Sequence, residues 1–204
     1  TTRPGYSPLI SPPKALLGAF LFSGIIGYMK YKTEWNLGLL YKNDKDPQIE
    51  KDIQAAEKAC ALFEKKYKGK DFTSTSKKLL LALADYESIE KLIDSKSWWY
   101  FALKSDLDSD NAIAGASATR IDQRLNNATN KLTFFGLTIG LIPVKKQKEY
   151  LKDKSLAGHA YSLRCIFSEA KYKLSEKEEQ LIGLLSQTSY RMWVDGQQRV
   201  LSQK

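Results

Sequence analysis

Between residues 46 and 70, apolar side chains recur at alternating steps of four and three: Ile49, Ile53, Ala56, Cys60, Phe63 and Tyr67. At about 100° per residue these positions share one face of a helix, and such a face has to be buried. Both ends carry the matching signals. Asp46 stands where an N-cap belongs, Pro47 takes the first helical position where its missing N–H costs nothing, and Gly69 follows as the breaker. Acids come early (Glu50, Asp52) and bases late (Lys65, Lys66, Lys68), as the helix dipole prefers.

The pattern repeats along the chain. A second helix is expected from a cap at Ser76, with Leu79, Ala82, Tyr86, Ile89 and Ile93 on its buried side and a possible break between Asp94 and Ser97. The aromatic block Trp98 to Phe101 then reads as core packing. A third helix is predicted to open in the acidic run 106–111 and to continue through Ala118, Ile121, Leu125, Ala128, Leu132, Phe135, Ile139 and Ile142 to Pro143. At 1.5 Å per residue it would span roughly 45 Å. On that stripe Phe135 faces inward, whereas Phe134, about 100° round the helix, is free to face outward. Gly136 and Gly140 form a small-xxx-small pair of the kind used for close helix contacts.

After a short basic amphipathic segment (144–154), a further helix buries Leu156, Leu163, Ile166 and Phe167. The last clear start is the capping box of Ser175 and Glu178, ahead of a helix expected to bury Leu181, Leu184 and Leu185. Trp193 and Val200 have no obvious partners. No stretch beyond residue 28 alternates at period two for long enough to make a strand. The fold class is all-α, an elongated bundle of long antiparallel helices.

Residues 1–28 differ from the rest. They hold no acid, four of the six prolines, and the apolar run Ala15 to Tyr28. That run is shorter than the roughly 20 residues that cross a bilayer, and no small-residue cleavage site follows it. It reads as a short anchor, an unprocessed signal, or sequence foreign to the folded protein. The third reading is preferred, because Met29-Lys30 looks like a natural start. The domains are then 1–28, a leader that belongs to a fragment or a misassigned frame, and 29–204, one helical domain.

A net charge of +9 raises the question of nucleic acid. The bases are interspersed with acids on the same helices, and the densest basic runs lie at helix ends, so they read as solvated faces. No nucleic-acid partner and no membrane attachment are expected. Cys60 and Cys165 lie far apart without metal-type spacing, as buried or partly buried free thiols do in a reducing compartment.

Candidate chemistry is sparse. His159 is the single histidine, so the H-E-x-x-H zinc helix cannot be built, and a structural or surface role is expected for it. The chain contains no G-x-S-x-G elbow, P-loop or dinucleotide fingerprint. The acids of 108–110 lack the glycine and terminal glutamate of a calcium loop and read as an acidic helix start. The pairs Glu178/Glu179 and Asp106/Asp108 are likewise explained by helix starts. Catalytic, cofactor-binding and metal residues are each expected to be none.

The order of segments adds something the single motifs do not. The opening Trp35, Leu37, Leu40, Tyr41, the helix of 46–70, DYESIEKLI, the block Asn130, Lys131, Leu132, Phe134, Phe135, then EYLKDKSLAGHAYSLRCIF and KLSEKEEQLI resemble, in sequence, the amino-terminal part of oligoendopeptidase F over about residues 33–193. This family is related to thimet oligopeptidase. The resemblance implies a cytoplasmic, all-helical zinc metalloendopeptidase that hydrolyses short peptides in a channel between two helical halves. Zinc would belong to the full-length enzyme, with none bound here, because the H-E-x-x-H helix lies downstream of the matched part. The partners implied are the catalytic half of the same enzyme and an oligopeptide substrate, and the chain alone would be inactive. The alternative is a self-contained helical adaptor for a protein partner, with or without a membrane tether through 15–28.

Overall fold

The first helix, α1 (Pro47–Tyr67), buries Ile49, Ile53, Ala56, Cys60, Phe63 and Tyr67, the six positions its periodicity marks. Asp46 caps it by accepting a hydrogen bond from the Gln48 N–H, and Gly69 leaves it with φ +70°, the left-handed conformation glycine adopts without strain. The computed structural model describes residues 35–94, 96–108 and 111–202. The expectations for 1–28 therefore lie outside the described residues. Within the unit Asn36–Lys204 every regular element is helical, and no strand occurs among the described residues. It is an all-α bundle.

Helix α2 (Ser76–Ile93) begins one residue away from the expected cap: the Thr75 hydroxyl, rather than Ser76, accepts from the Lys78 N–H. Leu79, Ala82, Leu83 and Ile89 are buried on it. The chain breaks after Asp94, and α3 (Lys96–Leu107) carries the aromatic block. Tyr100 and Phe101 are core, but Trp99 is exposed and its indole N–H donates to Asp94. Only half of the block is internal.

The long third helix is interrupted. Its acidic opening closes α3 instead, and α4 (Ala112–Thr129) starts at a cap made by Asn111, with no acid in its first turn. A 3-10 turn (Asn130–Leu132) then separates α4 from α5 (Thr133–Gly140). Side-chain chemistry explains the tightening. The hydroxyls of Thr129 and Thr133 bond back to the carbonyls of Asn126 and Asn130, and the Asn130 amide and carbonyl exchange hydrogen bonds with the Gln180 carbonyl and amide. Ile121, Leu125, Ala128, Leu132, Phe135 and Ile139 all stay buried across the turn.

Phe134 is the main departure on this stripe. It is 4% exposed, as closed off as Phe135 at 3%. The tightened turn and the neighbouring end of α1 bring it under Phe63 (ring centroids 6.2 Å apart) and the Lys68 ammonium. Phe135 sits at the hub of the aromatic core, edge-on to Phe63 and stacked on Phe72 and Tyr86.

The remaining elements are α6 (Val144–Tyr150), a 3-10 segment (Lys154–His159), α7 (Ala160–Glu169), α8 (Glu176–Ser186), a π turn (Gln187–Arg191) and α9 (Met192–Ser202). Tyr150 anchors α6 by donating to the Thr73 carbonyl at 2.7 Å. Leu156 and Leu163 are buried as expected, and the Ser175–Glu178 capping box is formed. Leu181, Leu184 and Leu185 are not buried: α8 has no buried residue. Its apolar stripe lies on the outside because nothing within the described residues covers it.

Polar contacts cross-link the helices. Arg124 of α4 grips Glu57 with two hydrogen bonds of 2.8 Å and reaches Glu50 at 2.7 Å, holding α4 to α1. Asp44 binds the Tyr100 hydroxyl and the Lys104 ammonium, fixing the segment before α1 onto α3. Asp85 joins α2 to the end of α1 through Lys66 and Tyr67.

Two outcomes test this core. Phe134→Ala and Phe135→Ala should each cost about 3–5 kcal/mol in urea unfolding, since both rings are enclosed; a small loss at Phe134 would return it to the surface. Asp85 is held below the ordinary carboxylate range, first by the Lys66 hydrogen bond and then by Tyr67. A depressed acid stabilises the fold above its unfolded pKa and loses that contribution as pH falls through the folded one. Melting temperature should therefore drop below about pH 4, and Asp85→Asn should flatten that drop.

Candidate functional site

Residues three and four apart share a helix face, and three helices use this spacing to build one groove. Helix α2 contributes Leu83, Tyr86, Glu87 and Glu90; α5 contributes Phe134, Phe135 and Gly136; α7 contributes Ser162, Ile166 and Glu169. The groove has a volume of about 670 Å³, and Lys173 to Glu176 close one end of it. Close approach of its walls depends on Gly140, where a Cβ would come within 2.9 Å of the Ala170 Cβ. Gly136 differs: a Cβ there meets nothing within 4 Å. The small-xxx-small pair thus makes one contact and one opening.

The floor is apolar. Leu83, Phe134 and Phe135 are buried, and Tyr86 stacks on Phe135 at 4.8 Å. Burial, followed by the charge of Glu90, pushes the Tyr86 phenol up, so it stays a neutral wall. His159 stands at the margin, its Nδ1 3.1 Å from Glu87 Oε1. That contact ties the 3-10 segment to α2, consistent with the structural role expected of a lone histidine.

A second surface lies along α8 and α9. Leu181 and Leu185 are each 55% exposed, and Trp193 is 67% exposed, with Met192, Val200 and Leu201 also open to solvent. Single exposed apolar residues are ordinary, but a run of them along consecutive turns marks an interaction face. Arg191 pairs with Asp122 and holds the π turn to α4. Beside it Gln187 Nε2 is buried without a hydrogen-bond partner among the described residues, at a polar pocket of about 210 Å³.

Among the described residues no group of three or more His, Cys, Asp or Glu side chains is arranged to hold a metal. Cys60 is buried and its thiol is pushed up to about 11 by burial, while Cys165 is half-buried; both are free. No helix among the described residues is long and apolar enough to cross a membrane, and Ala15 to Tyr28 lies outside them.

Residues 139–199 match the family model described as Oligopeptidase F. This stretch is therefore similar to the amino-terminal region of oligopeptidase F proteins. No curated protein matches the chain, and no solved structure does. The oligopeptidase F match runs from the end of α5 into α9, so it contains Leu181, Leu185, Met192 and Trp193 of the exposed stripe and the α7 wall of the groove, and it stops before Val200 and Leu201. It leaves outside it the opening around Trp35 and the Asn130–Phe135 block on which the sequence resemblance leaned.

The groove could not be found from sequence, because its residues come from three helices with no shared motif. The α8 part of the stripe, Leu181, Leu184 and Leu185, has the periodicity of a buried face and is exposed, whereas Trp193 and Val200 have no obvious partner in the sequence and are exposed as well. If the stripe is a docking face, Leu185→Lys and Trp193→Ser should each shift stability of the isolated chain by no more than about 0.5 kcal/mol in urea, while lowering the fluorescence of a bound apolar dye. A loss of several kcal/mol would place these residues inside the fold.

Proposed function

We propose that this chain forms the amino-terminal wall of the peptide channel of a zinc-dependent oligoendopeptidase, and that α8 and α9 dock against the catalytic half of the same enzyme. The observation that carries this reading is the overlap of the oligopeptidase F match with Leu181, Leu185 and Trp193 of the exposed apolar stripe. A stripe with correct helical spacing, a formed capping box and no cover within the described residues is what a domain shows when its partner is a separate body of protein. Residues 29–204 act as one domain in this reading, zinc and the hydrolytic groups reside in the catalytic half, and the compartment is the cytoplasm. The wall limits entry by size and leaves the chemistry to its partner.

The test is reconstitution. The chain is incubated with zinc and a quenched fluorescent nonapeptide, first alone and then joined to the catalytic half of an oligoendopeptidase F enzyme. Alone it should give background cleavage. Joined, it should give chelator-sensitive turnover that Trp193→Glu lowers at least ten-fold. Chelator-sensitive cleavage by the isolated chain would sink the proposal, and so would failure of the two halves to associate in sedimentation. Association with an unrelated protein through the same stripe would instead make the chain an adaptor.

A further inference from the structure

We infer that the groove between α2, α5 and α7 binds a peptide segment presenting a basic side chain beside an apolar one. The chain carries a net charge of +9, yet among the groove-lining residues Glu87, Glu90, Glu169 and Glu176 face a single lysine, Lys173. Two of these acids are already engaged, Glu87 by His159 at 3.1 Å and Glu176 by Lys68 at 2.7 Å. The carboxylates of Glu90 and Glu169 form neither an ion pair nor a side-chain hydrogen bond among the described residues. One lies on α2 and the other on α7, and both line the groove together with Leu83, Phe134 and Ile166. A lysine or arginine between the two walls meets both carboxylates, while the adjoining apolar side chain enters the floor. Complementary charge sets orientation and on-rate, and the apolar contact supplies burial.

A volume of about 670 Å³ lies in the range of sites that take a few side chains of a ligand. Gly136 keeps the space open, since no atom stands within 4 Å of where its Cβ would be. This deepens the peptidase reading, on which it rests for its biological meaning: the groove would favour cationic oligopeptides among those entering the channel. The binding itself needs only this chain.

The experiment measures anisotropy of a fluorescein-labelled pentapeptide, Leu-Lys-Phe-Arg-Leu amide, titrated with the full chain at low and high salt. Binding should saturate and weaken with salt, and a version with glutamate in place of both bases should bind at least ten-fold more weakly. Gly136→Leu projects a side chain from a position where an added Cβ meets no atom within 4 Å, and it removes a helix-weakening glycine. It should abolish binding with the melting temperature unchanged or raised. Glu90→Gln with Glu169→Gln should weaken binding ten-fold and reduce its salt dependence. Equal binding of the acidic peptide, retained binding in Gly136→Leu, or absence of any binding would each overturn the assignment. So would spermine displacing the peptide at equal concentration, which would make the groove a polyamine site. If the peptide binds while the joined enzyme fails to cleave, the peptidase reading falls alone; if the joined enzyme cleaves and the peptide does not bind, only the groove assignment falls.

Discussion

Burial of one face of α1 is the constraint on which the rest of the fold depends. Ile49, Ile53 and Ala56 belong to a cluster with Tyr41, Tyr100, Phe101 and Ile121, whereas Cys60, Phe63 and Tyr67 belong to a second cluster with Phe72, Leu79, Phe134 and Phe135. A single stripe therefore runs through both halves of the core. The α4–α5 stripe does the same from the opposite side, with Ile121 and Leu125 in the first cluster and Ala128 to Ile139 in the second. The two rods register the clusters against each other. The ion pairs of Arg124 and Asp85 lie outside this apolar seam and are partly exposed, where pairs of this kind add little energy but do fix which faces meet.

Much of this architecture was legible because local and global demands agree. In α1 the cap, the dipole and the periodicity all name the same helix, and its six marked positions are the six buried ones. The sequence reading failed where a tertiary partner overrides the local rule. A helical wheel drawn through residues 112–142 assumes an unbroken helix, and the hydroxyl and amide bonds around Asn130 break it, so the outward position assigned to Phe134 turned in. In α8 the wheel was sound and the inference from it was not. Periodicity says that a face will be covered; it does not say by which body.

The groove was hidden for a different reason. Acidic residues on a helix read as solvent-facing whenever they are viewed along one segment, and Glu90 and Glu169 look ordinary in that view. Only the approach of α5 to the end of α7, permitted by Gly140, turns separate solvated faces into opposing walls. Sites assembled in this way have no signature at sequence level. They depend on where glycines let backbones meet.

The π turn at Gln187–Arg191 carries a consequence of its own. A wider i→i+5 turn takes up one more residue than an α-turn, and each residue of an α-helix advances its face by about 100°. Counted without that extra residue, Trp193 and Val200 fall to one side of the line through Leu181 and Leu185; counted with it, they fall into that line. The π turn acts as a phase corrector. It follows that the number of residues from 187 to 191 sets the phase of α9, while Arg191 fixes the turn in place: the loss of one residue here would rotate α9 about 100° away from the line of Leu181 and Leu185.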